Sequence, residues 1–189
     1  DPILKAMNRG TTQAGIRKLV KRLRGQIPNL TIRSSVITGF PGERDADFNE
    51  LMDFVDEIQF NRLVGFTYSH EEGTKAGELE DDVPEDVKRE RLNELMAVQA
   101  QISGELNAKH VGQTFKVLVD EVADDGMHDY VGRTRMDAPE IDGAVFFTGS
   151  AQVGDFVEVE ITDATEYDLI GHVAKIESLL SIAPVEGRK

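Results

Sequence analysis

Hydrophobic and polar positions along this chain alternate between a helical period and a strand period, and each change marks an element. Ile16, Leu19, Val20 and Leu23 stand at i, i+3, i+4 and i+7, which predicts an amphipathic helix over 13–25. Thr11 or Thr12 can cap its start, and Gly25 with Pro28 marks its end. Arg17, Lys18, Lys21, Arg22 and Arg24 fill the outer face, as on a solvated helix surface. Residues 30–39 alternate as a strand does. Leu30, Ile32 and Val36 lie on one face, and Thr31, Arg33, Ser35 and Ile37 on the other. A second helix over 45–58 carries a stripe of Phe48, Leu51, Met52, Val55 and Ile58, and a second strand follows at 62–68. Helix, strand, helix and strand in this order predict a parallel sheet amounting to about half of a βα barrel.

The ends of these strands are where chemistry is expected, because parallel α/β folds bind ligands at the carboxyl ends of their strands. The first strand ends in Phe40-Pro41-Gly42-Glu43. Pro41 suits the second position of a turn, and Gly42 supplies the positive φ of the third. The second ends in the loop Ser69-His70-Glu71-Glu72-Gly73-Thr74. His70 there reads as a solvated loop histidine, since no orienting partner is identifiable. Arg33, on the face turned from the helices, needs either an anion or an acidic partner inside the barrel.

Residues 78–82 form an acidic linker, followed by one long helix over 85–108 with Leu92, Leu95, Met96, Ile102 and Leu106 on a stripe and Pro84 near its first turn. Such a helix spans about 36 Å, enough to join two domains. Beyond Gly112 the period becomes two. Phe115 to Val122, Asp129 to Arg135, Ala144 to Phe147, Phe156 to Ile161 and Leu169 to Ile176 read as five short strands, punctuated by Asp125-Gly126, Asp142-Gly143 and Gly154-Asp155. They predict a small antiparallel OB-like barrel. The fold class expected is therefore α/β plus all-β: a partial βα barrel at 1–82, a linker helix at 83–110, a five-stranded antiparallel barrel at 111–177 and a tail at 178–189.

Charge sharpens this division. The net charge is −14, yet residues 1–33 carry +7 and residues 112–178 carry −11. An acidic barrel repels phosphate backbones and suits a basic protein partner. No apolar run approaches the length of a membrane span. With no cysteine, the chain forms no disulfide and no thiolate metal site of its own.

Several segments resemble the methylthiotransferase family of radical S-adenosylmethionine enzymes, and the resemblance covers nearly the whole chain. They are Ile3-Leu4-Lys5-Ala6-Met7-Asn8-Arg9-Gly10, Thr38-Gly39-Phe40-Pro41-Gly42-Glu43 followed by Asp47-Phe48, and Phe66-Thr67-Tyr68-Ser69 with Glu72-Gly73-Thr74. Val83-Pro84-Glu85 with Lys88, Arg91 and Leu92 resembles the family's linker helix, and the terminal strands its TRAM domain. Asp137-Ala138-Pro139-Glu140-Ile141-Asp142-Gly143, Ser69 to Ala76 and Tyr167-Asp168-Leu169 with Gly171 resemble the RimO branch, which modifies an aspartate on the twelfth small-subunit ribosomal protein. Arg44 departs from the family's Thr or Ser, so the following helix needs another cap, such as Asp45.

The resemblance implies a cytoplasmic transferase that uses S-adenosylmethionine and two 4Fe-4S clusters to place a methylthio group on the β-carbon of that aspartate. The cluster cysteines of the family are absent here, so this chain alone is expected to be inactive, with no catalytic residue or metal ligand assigned in it. From strand position, Arg33 and Ser35 are expected to make polar contacts to S-adenosylmethionine, Ile37 with Gly39 and Phe40 to lie on its adenine side, and Tyr68 to line the same cavity. The ribosomal protein is expected to dock on the acidic TRAM module. Two other readings stand beside this one. One is a transfer-RNA adenosine methylthiotransferase of the same family, which the acidic barrel disfavours. The other is a noncatalytic protein-binding module.

Overall fold

The computed structural model describes residues 1–174. The expected tail at 178–189 and the expected end of the last strand at Ile176 lie outside them. The chain begins with a five-residue helix, α1 (Pro2–Ala6), which the hydrophobic pattern did not predict. Helix α2 (Gln13–Gln26) follows, capped by the Thr12 side chain, which accepts a hydrogen bond from Gly15 N–H. Its Val20 is buried, whereas Leu19, expected on the apolar stripe, is 44% exposed. Its basic face is only partly solvated. Arg24 donates to the carbonyls of Ile58 and Gln59 at 2.7 Å each, and so satisfies the carboxyl end of the next helix, α3 (Asp45–Ile58). Arg17 pairs with Glu57 at 2.7 Å.

Strands β1 (Arg33–Thr38) and β2 (Arg62–Thr67) pair in parallel, with α3 as the crossover between them. Gln59 takes the left-handed conformation that ends α3. The cap at its start is not Asp45. Asp47 reaches back to accept from Arg44 N–H at 3.0 Å, which leaves Asp45 free to take Arg91 at 2.6 Å. One side of the sheet packs into a core of Val20, Phe48, Phe54, Val55, Ile58, Phe60, Leu63, Leu95 and Ile102. Helix α4 (Glu85–Ala108) lies across it, with Pro84 as N-cap. A Cβ on Gly65 would come within 2.4 Å of Leu92 Cδ1, so helix and strand are as close here as a glycine allows.

The remaining strands are β3 (Thr114–Val122), β4 (Tyr130–Arg133), β5 (Val145–Thr148), β6 (Phe156–Ala164) and β7 (Leu169–Val173). They form a closed barrel in the order β3-β4-β5-β7-β6 around Val117, Val119, Val145, Phe147, Val159, Ile161 and Leu169. The barrel is mixed, which corrects the antiparallel expectation: β5 and β7 run parallel while every other pair is antiparallel. Ring closure with five strands requires this. Directions cannot alternate all the way round an odd-numbered ring, so one neighbouring pair must be parallel.

Candidate functional site

The register of β1 on β2 decides which side chains share a face. Ser34, Val36 and Thr38 pair with Leu63, Gly65 and Thr67 and face the helices. Arg33, Ser35 and Ile37 pair with Arg62, Val64 and Phe66 and face the other way. That second face is uncovered among the described residues: Val64 is 42% and Phe66 54% exposed. Of the residues expected at a cofactor, Arg33, Ser35 and Ile37 stand on it, Arg33 at its amino end. Val64 and Phe66 flank them and were missed by the sequence reading, although their spacing of two in β2 was visible.

Gly39, Phe40 and Tyr68 cluster instead at the carboxyl ends of the strands. Phe40 meets Tyr68 edge to face at 5.3 Å, and both rings are buried. Tyr68 donates its hydroxyl proton to the carbonyl of Ala76 at 3.0 Å. The turn at 40–43 closes through Glu43 N–H to the Phe40 carbonyl at 2.9 Å, with Gly42 at φ 83°. Gly39 has φ 72°, and a Cβ there would fall 2.2 Å from Lys88 Cγ. Arg33 lies apart from this cluster. It begins β1, about 16 Å from the strand's end by strand rise, and its guanidinium is engaged by Asp142 of the barrel domain.

Helix α4 holds the turn from below through residues whose role periodicity did not reveal. Lys88 is fully buried, and its Nζ donates to Asp81 and Glu85 at 2.6 Å each and lies 5.2 Å from the centre of the Tyr68 ring. Burial opposes its charge, but the two carboxylates outweigh burial and hold the ammonium above its ordinary pKa. Arg91 donates to Glu43 Oε1 at 2.9 Å, and the same oxygen accepts Gly39 N–H at 2.9 Å. Burial raises the Glu43 carboxyl above its ordinary value, against the opposing pull of the Gly39 N–H and Arg91. Gly42 N–H adds a bond to Asp82 at 2.7 Å. The strand-end turn is thus a backbone-lined shelf held to α4 by the Arg91–Glu43 pair and packed on Lys88 beneath Gly39. His70 is exposed. Among the described residues no group of three His, Cys, Asp or Glu side chains is arranged to hold a metal ion.

Residues 111–174 match the TRAM domain family. The chain is 48% identical over 177 residues to the ribosomal protein uS12 methylthiotransferase RimO of Flavobacterium johnsoniae, covering 92% of this chain and 40% of that protein. It is 47% identical over 174 residues to the protein of the same name from Geotalea uraniireducens, covering 92% and 39%. With that of Clostridioides difficile it shares 46% over 173 residues, covering 90% and 38%. The chain spans about two fifths of the length of these relatives. By sequence the chain therefore matches the carboxyl-terminal part of RimO-type methylthiotransferases, TRAM domain included.

Proposed function

We propose that this chain is the carboxyl-terminal part of a radical S-adenosylmethionine methylthiotransferase that modifies the β-carbon of an aspartate on the twelfth small-subunit ribosomal protein in the cytoplasm. The observation that carries this reading is the identity of 47–48% to relatives named for that activity, sustained over 92% of the chain. Helix α4, as a linker over 83–110, separates a partial radical-SAM barrel at 1–82 from the TRAM module at 111–177. Among the described residues one face and the outer edges of the β1–β2 pair are uncovered, which supports the partial barrel, because such a sheet needs further strands to bury it.

The uncovered face fits one wall of an S-adenosylmethionine site. Ser35 offers a hydroxyl, Ile37 and Val64 an apolar surface, and Phe66 an aromatic ring, while the shelf at Gly39 and Phe40 bounds the carboxyl end with Tyr68 behind it. Arg33, committed to Asp142, is assigned to the domain junction and not to the wall. When bound, S-adenosylmethionine supplies the radical that removes hydrogen from an unactivated carbon. The work of these residues is to orient it and to exclude water. The 4Fe-4S clusters of the family have no ligands here, since the chain contains no cysteine.

The protein partner docks on the TRAM module, whose charge of −11 over 112–178 suits a basic surface. Titration of the chain with ribosomal protein uS12 and, separately, with transfer RNA at two salt concentrations tests this. Saturable protein binding with negligible RNA binding is expected. RNA binding that weakens steeply with salt, without protein binding, would move the reading to the transfer-RNA branch.

A further inference from the structure

The two hydrophobic cores share no residue. One draws on positions 16–106 and the other on 115–173. Where the domains meet, hydrogen bonds and ion pairs join them. Arg62 NH2 donates to Asp137 Oδ1 at 2.9 Å, Arg33 pairs with Asp142 Oδ1, and Arg62 Nε lies 3.9 Å from that same oxygen. Asn107, in the last turn of α4, accepts from Arg62 NH1 at 3.4 Å and donates to the carbonyls of Thr165 and Glu166. The side chains of Asp137 and Asp142 are 4% and 6% exposed.

Each aspartate divides its two oxygens between two tasks. Asp137 Oδ2 accepts from Thr134 N–H and Oγ1–H, and Asp142 Oδ2 accepts from Ala138 N–H at 2.7 Å, so these oxygens fold the loop 134–143 on itself. The Oδ1 atoms point outward to the arginines. Behind them lies a pocket of about 180 Å³ lined by both arginines, Gln99, Ser103, Asp142 and Tyr167, among other residues. Into this junction Gln99 Oε1 and Arg62 Nε bring buried polar atoms without a protein hydrogen-bond partner. Leu63, Val64 and Ile141 also line this pocket, but it is incompletely filled and the two cores share no residue, so inter-domain motion is the default unless specific contacts forbid it.

We infer that loop 134–143 is the latch that sets the TRAM barrel against the amino ends of β1 and β2. Arg33 and Arg62 are its receptors, and Asp137 and Asp142 are positioning residues. On the functional reading above, which this inference extends, the latch determines where a protein docked on the barrel stands relative to the uncovered sheet face. Both aspartates and Arg62 are largely withdrawn from water while Arg33 is 39% exposed at the rim, so the arginines hold the buried aspartate charges in place.

The absence of cysteine makes the test direct. Spin labels at Lys21→Cys on α2 and Glu158→Cys on β6, both exposed, report the distance between the domains. The otherwise unchanged chain is expected to give one narrow distance distribution. Asp142→Asn and Arg33→Gln are expected to broaden it or add a second population, while circular dichroism and the urea midpoint of each domain show that both remain folded. The conservative Arg33→Lys, which keeps the charge opposite Asp142, is expected to stay closer to the parent than Arg33→Gln. A distribution as narrow in Asp142→Asn and Arg33→Gln as in the parent, or one as broad in Arg33→Lys as in Arg33→Gln, would overturn the inference. The measurement needs no partner, so its failure is distinct from failure of the uS12 titration.

Discussion

Replacing Arg91 with Met tests whether ionic pinning by α4 holds the strand-end turn. The substitution retains most of the aliphatic stem against Phe48, over which the guanidinium lies at 5.6 Å, and removes the charge. Glu43, 7% exposed, would then keep only the Gly39 N–H as a close partner. An orphaned buried carboxylate costs about 3–5 kcal/mol, but it can escape by taking a proton. From an ordinary value of 4.5, protonation at pH 7 costs about 3.4 kcal/mol at about 1.36 kcal/mol per unit. That sets the ceiling of the electrostatic loss at pH 7, and the ceiling falls to about 1.4 kcal/mol at pH 5.5. The sign follows from the direction of the shift. A carboxyl whose folded pKa is raised contributes stability fully below 4.5 and loses it as pH rises through the folded value. Arg91→Met is therefore expected to lose about 3 kcal/mol in urea unfolding at pH 7 and distinctly less at pH 5.5. Adding Glu43→Gln should remove most of the pH dependence. A loss that is the same at both pH values, or one below about 0.5 kcal/mol at pH 7 as for an ordinary surface change, would refute the argument.

Three further outcomes are expected. Gly39→Ala should destabilise the chain by about 2–4 kcal/mol, from the left-handed backbone and the overlap with Lys88 together. Gly42→Ala, with no atom within 4 Å of the new Cβ, should cost only the backbone share of about 1–2 kcal/mol, so equal losses in the two variants would show that Lys88 is not packed under Gly39. Asp125 is held to about 2 by its hydrogen bonds from His128 and Met127. Its contribution is present above 3.8 and lost as pH falls through about 2, and a carboxyl-carbon NMR titration should find the midpoint rising toward 3.8 in His128→Asn. Phe147→Ala, at a fully buried ring 5.6 Å from that of Tyr130, should cost the barrel about 3–5 kcal/mol in urea unfolding, with a much smaller loss refuting its place at the centre of that core.

The order of elements was legible in the sequence because burial imposes a period on the residues that undergo it. The stripes of α2 and α3, the alternation of β1 and the turn chemistry of Pro41-Gly42 all report local geometry, and the helix 85–108 was found with the bounds that the structure has. The same logic explains what was missed. The buried side of α4 includes Lys88, Arg91, Gln99, Ser103 and Asn107, at helical spacing but without apolar side chains, so a search for hydrophobic periodicity passes over them. Arg33 was legible as an arginine in need of an anionic partner. Its partner Asp142 was not, because ion pairs form across the junction between residues far apart in sequence, 75 positions in the case of Arg62 and Asp137.

What the sequence by itself determined is the likeness to RimO-type methylthiotransferases, the succession of helix, strand and barrel segments, and the separation of a basic beginning from an acidic end. Which strands become neighbours was decided only by closure of the ring, which makes β5 and β7 parallel. Which charges meet was decided only when the two domains came together and removed Asp137 and Asp142 from water. Local patterns arise from which side of an element is wet. Pairing across a fold arises from geometry that no single element contains.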